Sequence, residues 1–140
     1  AAAITYGKTL ADATLTGGSV QYSSEDTTAV AGTFAWKVDT TKPAVADSDK
    51  TAYTVVFTPT NENYNTVETD ITVTVNKAAS APGLPNNTME VDYGKKKVSD
   101  VTLPKDWAWQ DEDKDEALKD GIAVKATAVY TGADKGNYKT

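Results

Sequence analysis

The residues with the most chemical potential are a pair of tryptophans and an acidic run. Trp107-Ala108-Trp109 puts two indoles on one face of an extended segment, because side chains two apart in a strand share a face. A flat pair of rings can stack on sugars, and Trp107, beside Asp106 at a rim, is the residue here with a ligand-contact reading. The bland reading is core. Phe34-Ala35-Trp36 occupies the same relative place in the first half of the chain, and a small sandwich needs such a pair to fill its interior. Trp36 and Trp109 are read as largely buried core.

Asp111-Glu112-Asp113-Lys114-Asp115-Glu116 supplies closely spaced oxygens, the chemistry that holds calcium. It lacks the glycine-turned spacing of a dedicated calcium loop, and two lysines are close by, so a solvated acidic loop is the favoured reading. Asp134 near Asn137 is a weaker oxygen pair. Carboxylates are numerous enough for glycoside hydrolysis, but nothing sets two of them across a cleft. Asn86-Asn87-Thr88 has the form of a glycosylation sequon. Lys95-Lys96-Lys97 reads as a solvated edge that discourages strand pairing.

Composition narrows the classes. The 140 residues include no cysteine and no histidine, and every basic residue is lysine. Disulfides, thiolate metal sites and the commonest acid–base catalyst are therefore excluded. No nucleophile–base pair is recognisable, so the expectation is no enzyme, no catalytic residue, no cofactor and no required metal. A net charge of -6 argues against nucleic acid and against an anionic membrane surface as partner. No apolar run reaches membrane-spanning length. No signal peptide opens the chain, so a secreted protein would contain it as an internal piece.

The elements that must position these residues come in two sets. Ile4-Thr5-Tyr6-Gly7-Lys8 is matched by Val91-Asp92-Tyr93-Gly94-Lys95, Phe34-Ala35-Trp36 by Trp107-Ala108-Trp109, and Asn63-Tyr64-Asn65-Thr66 by Asn137-Tyr138-Lys139-Thr140. Three landmarks in one order mean a tandem repeat. Residues 1–78 form module 1, 79–87 a Pro/Gly/Ala linker, and 88–140 module 2. Each module is near the lower size limit for a self-sufficient core.

Abundant threonine and valine favour strands, because β-branching restricts χ1 in a helix. Strict alternation predicts strands over Ile71 to Val75, Tyr53 to Thr58 and Thr33 to Val38, with Phe34, Trp36 and Val38 on one face. Shorter strands are expected at Ile4 to Tyr6, Ala13 to Leu15 and Val20 to Tyr22. In module 2, Val101 to Leu103 matches Ala13 to Leu15, and Ile122 to Tyr130 reads as one long strand. Glu116 to Lys119 could form a helical turn. Tyr64 is expected to fold back and plug the loop after Pro59. Nothing in module 2 matches Ile71 to Val75, so it is expected to lack its last strand and to be completed by residues beyond Thr140.

These motifs resemble the immunoglobulin-like repeats carried in tandem by secreted and wall-attached proteins of Gram-positive bacteria. The resemblance rests on Tyr6-Gly7, Gly32 to Trp36, Phe57 to Tyr64, Val129 to Tyr138 and Val73 to Ala78, and fades over residues 38–51 and 111–121. It implies an all-β fold of two immunoglobulin-like antiparallel sandwiches, with β-grasp-like modules as the alternative. It implies a structural spacer or display repeat of an extracellular surface protein, sometimes adhesive. The implied partners are neighbouring repeats of the same chain and a host or cell-wall glycan or protein. A carbohydrate- or protein-binding module is the rival, and an accessory domain of a large secreted glycosidase the third reading.

Overall fold

The computed structural model describes residues 1–84, 88–91 and 94–139. The Asn86-Asn87 pair, Asp92-Tyr93 and Thr140 lie outside the described residues. The chain divides into two compact units, Ala1–Ala78 and Ala79–Thr140. Both are all-β, and no α-helix occurs among the described residues.

Unit 1 contains β1 (Ile4–Thr5), β2 (Gly32–Trp36), β3 (Ala52–Pro59), β4 (Val67–Thr72) and β5 (Val75–Asn76). β2, β3 and β4 form an antiparallel sheet in that order, with Phe34 opposite Phe57 and Trp36 opposite Val55. β1 and β5 pair in parallel, Ile4 opposite Val75. The core comprises Ile4, Leu10, Ala13, Val73 and Val75, with Tyr6, Trp36, Val45 and Tyr53 packed around it.

The alternation at 71–75 survives, but the single strand does not. The chain pairs with β3 through Thr72 and with β1 from Val75. Ser48 and Asp49 stabilise the change of partner: the Ser48 hydroxyl accepts Val75 N–H at 2.9 Å, and Asp49 accepts the Thr74 hydroxyl at 2.7 Å. Side chains of Val73 and Val75 stay buried on one side, so hydrophobic periodicity cannot reveal the switch.

Other expectations are corrected. Ala13 to Leu15 is not a strand; a 3₁₀ turn, Leu10–Asp12, ends at Ala13 instead. Val101 to Leu103 is not one either, and follows a 3₁₀ turn in the same way. Val20 to Tyr22 makes only an isolated bridge between Gln21 and Ala29. Val38 lies beyond β2 and is exposed. Tyr64 plugs nothing: it is exposed, and its ring meets that of Tyr22 edge-on.

Unit 2 contains β6 (Trp107–Trp109) and β7 (Ala128–Tyr130), antiparallel with Trp107 opposite Tyr130. The long strand expected from Ile122 is reduced to β7 because its partner is short. Asp106 has φ +67, which breaks the extended run before Trp107, and a turn follows Gln110. Ile122 is exposed. Glu116 to Lys119 forms no helical turn; Ala117 bridges Lys97, which also overturns Lys97 as a non-pairing edge. The sequence support for a β-grasp-like module goes with that turn.

The two units build their first turns alike. Gly7 has φ +94 and Gly94 φ +108, a region that side-chain-bearing residues rarely enter. A 3₁₀ turn follows in each, Leu10–Asp12 and Val98–Asp100. Asp12 accepts Thr9 N–H at 3.0 Å, and Asp100 accepts Lys97 N–H at 3.0 Å, each filling an orphan donor at the turn's start.

Candidate functional site

A tryptophan closes each unit against its turn. Trp36 Nε1–H donates to Ala13 C=O at 3.0 Å, and Trp109 Nε1–H donates to Val101 C=O at 2.8 Å. Ala13 and Val101 end the two equivalent 3₁₀ turns. Both indoles are mostly covered without reaching full burial. That carbonyl satisfies the N–H edge of each ring, so the indole is covered without leaving its donor unpaired.

Each tryptophan is two residues from a second ring. Phe34 packs on Phe57 with centroids 4.8 Å apart, and Trp107 meets Tyr130 at 5.6 Å and 62°. Trp107 is half-buried, and one side of its environment is taken by Tyr130.

The Trp107 cluster extends to Tyr138, whose ring stands at 90° to Tyr130 with centroids 5.9 Å apart. Asp134 accepts the Tyr130 hydroxyl at 2.7 Å and the Tyr138 hydroxyl at 3.2 Å. Its oxygens are thus directed at neighbouring phenols. Gly132 allows this packing: a Cβ there would lie 2.2 Å from the Tyr130 hydroxyl. The hydrogen bond to Asp134 is the main reason the Tyr130 phenol is pushed up to about 12, with partial burial and the Asp134 and Asp106 charges adding to it.

Because the folded unit holds that proton more tightly than the unfolded chain, the contribution to stability is complete below pH 10. It falls as the pH rises from 10 through about 12. Asp134→Asn should lower the Tyr130 pKa toward 10 and abolish this share of the alkaline loss. Phenolate absorbance against pH, wild type minus variant, checks it; superimposable titrations would contradict the assignment.

The acidic run serves the fold. Asp111 pairs with Lys114. Asp115 pairs with Lys97 at 2.7 Å. Asp113 accepts Thr127 N–H at 2.7 Å, bracing the approach to β7. The Lys114 and Lys97 hydrogen bonds, respectively, hold Asp111 and Asp115 below the usual carboxylate range, while backbone N–H groups of Lys96 and Lys97 do the same for Asp100. No group of three or more candidate metal ligands occurs among the described residues.

The site the sequence reading missed is in unit 1. Tyr22 and Tyr64 are 72% and 40% exposed, with ring centroids 6.0 Å apart at 61°. They flank an open groove of about 440 Å³. The alternation Val20-Gln21-Tyr22 reads as a short strand and does not point to Tyr22 as a site. What marks it is a length difference between the repeats: Thr16 to Thr33 separates Leu15 from Phe34, whereas only Pro104 to Asp106 separates Leu103 from Trp107.

Compared with protein-family models, curated proteins and solved structures, the chain matches none.

Proposed function

We propose that the chain is a pair of immunoglobulin-like modules acting as a spacer or display repeat in an extracellular surface protein of a Gram-positive bacterium. The observation that carries this reading is the repeated brace. In each unit a Tyr-Gly opening, a 3₁₀ turn capped by aspartate and a tryptophan bonded to the turn's last carbonyl recur in the same order. The tyrosine of the second opening enters this comparison by sequence alone.

The parts that recur are structural. What differs between the units lies in loops, where function is ordinarily added to a scaffold. An array of such units gains length by repetition, and each unit needs only its own brace. The lack of histidine, cysteine and arginine suits a device that holds position rather than one that moves protons. Threonine-rich, cysteine-free modules also suit a wall environment without requiring disulfide chemistry.

The test is display. An epitope is fused to increasing numbers of copies of the chain and anchored to a Gram-positive cell wall. Antibody access to the epitope should rise with copy number. Access that is independent of copy number would contradict the spacer reading.

A further inference from the structure

The geometry points to a carbohydrate site between Tyr22 and Tyr64, taking a short uncharged oligosaccharide. This goes beyond the spacer reading and does not depend on it.

The first argument is the insertion. Unit 2 makes its turn, its tryptophan brace and its aromatic pair with only Pro104 to Asp106 between Leu103 and β6. The residues Thr16 to Ala31 are therefore not needed for the shared brace. Loops of this length in a small module commonly carry function. The insertion is also ordered: Gly17 and Gly18 take positive φ, Gly18 packs against Phe34, and Val30 N–H donates to Val20 C=O at 2.7 Å. It places Tyr22 beside Tyr64.

The second argument compares the two late tyrosines. In unit 2, Tyr138 is held by Asp134 and packs on Tyr130. In unit 1 the corresponding partners have changed. Phe57 replaces Tyr130 and has no hydroxyl, and the Asn61 side-chain oxygen is used by Asn63 N–H at 3.0 Å. Tyr64 is thereby released to the surface, and neither its hydroxyl nor that of Tyr22 has a hydrogen-bond partner among the described residues.

The third argument is the chemistry of the lining. Two exposed rings at an angle offer faces to the C–H side of a sugar. Thr28, Thr60, Asn61 and Asp26 line the groove with them and bring hydroxyl, amide and carboxylate groups to it. Asp26 Oδ1 is fixed by Thr28 N–H at 2.8 Å, which leaves Oδ2 as an acceptor. Asn61, its oxygen occupied, presents its NH₂ as a donor. Donors and acceptors beside apolar ring faces match the surface of an uncharged sugar. No lysine is among the lining residues, and Glu25 and Glu62 adjoin Asp26 and Asn61 in the chain, so an acidic glycan would be repelled. The groove is at the small end of ligand sites and open, which fits a few sugar rings held at roughly millimolar Kd.

The test uses the whole chain on an array of uncharged, sialylated and uronate-containing oligosaccharides, followed by NMR titration with the best-retained soluble sugar. Uncharged sugars should be retained, with shifts at Tyr22, Thr28, Thr60 and Tyr64. Tyr22→Ala and Tyr64→Ala should each weaken binding roughly tenfold while the amide spectrum stays folded. Three results would overturn the proposal. They are retention of no glycan, preference for acidic glycans, or binding that survives both tyrosine changes and is lost in Trp107→Ala.

Discussion

Trp36→Ala should remove about 3 kcal/mol from unit 1, and Trp109→Ala should unfold unit 2 outright. A buried aromatic cut to alanine costs about 3–5 kcal/mol, and one short of full burial falls toward the lower end. Each change also leaves a carbonyl, Ala13 or Val101, without its indole donor, at about 1 kcal/mol. The two outcomes differ because the two cores differ. Unit 1 buries Ile4, Leu10, Ala13, Val55, Phe57, Val73 and Val75, whereas Val98 is the fully buried apolar side chain of unit 2 among the described residues. A domain of this size holds only about 0.05–0.15 kcal/mol per residue, so unit 2 has little to lose. Phenylalanine at either position keeps most of the packing and forfeits the N–H bond, and should cost about 1 kcal/mol. Chemical denaturation followed by far-ultraviolet dichroism measures both series. Equal costs for alanine and phenylalanine would show that packing contributes nothing.

Gly32→Ala should destabilise unit 1 by about 3 kcal/mol, a large effect for one methyl group on an exposed residue. A Cβ there would stand 2.4 Å from the Thr58 carbonyl oxygen and 2.4 Å from the Phe57 ring. Neither neighbour can give way cheaply. Thr58 belongs to the β2–β3 ladder, and Phe57 is 3% exposed against Phe34. Overpacking against rigid atoms costs about 1–3 kcal/mol, and here the upper end applies because backbone is hit as well as ring. Gly136→Ala is the control: nothing lies within 4 Å of its Cβ position, and the change should stay within about 0.5 kcal/mol. A Gly32→Ala midpoint equal to wild type would mean that β2 can shift away from β3 without loss.

The repeat and the strand-rich character were legible because they are written in residue order and period. Tyr53 to Thr58 and Thr33 to Trp36 alternate as strands do, and they form the β2–β3 pair. The tryptophan brace was half legible. Matched positions of Trp36 and Trp109 pointed to a shared role, but a bond from an indole to the backbone of a distant turn leaves no periodic trace. The breaks were not legible. Asp106 at φ +67 cuts the strand before Trp107, and a left-handed aspartate cannot be told from any other by sequence. The change of partner between Thr72 and Val75 keeps the in–out alternation, so period two reads straight through it. Tyr22 and Tyr64 were missed for a related reason. Each is an isolated ring among polar turn residues, and only the folded insertion brings them together.

The central claim is that one brace, used twice, holds each unit. Residue-resolved hydrogen exchange on the intact chain tests it most directly, with Trp36→Ala and Trp109→Ala as a reciprocal pair. Exchange reports the free energy of opening amide by amide, so the two units are read separately in one molecule. Trp36→Ala should speed exchange through β2, β3 and the Leu10–Asp12 turn while the amides of Val98–Asp100, β6 and β7 keep their wild-type rates. Trp109→Ala should do the converse. Acceleration spread over both units by either change, or confined to the few residues touching the missing ring, would contradict the account.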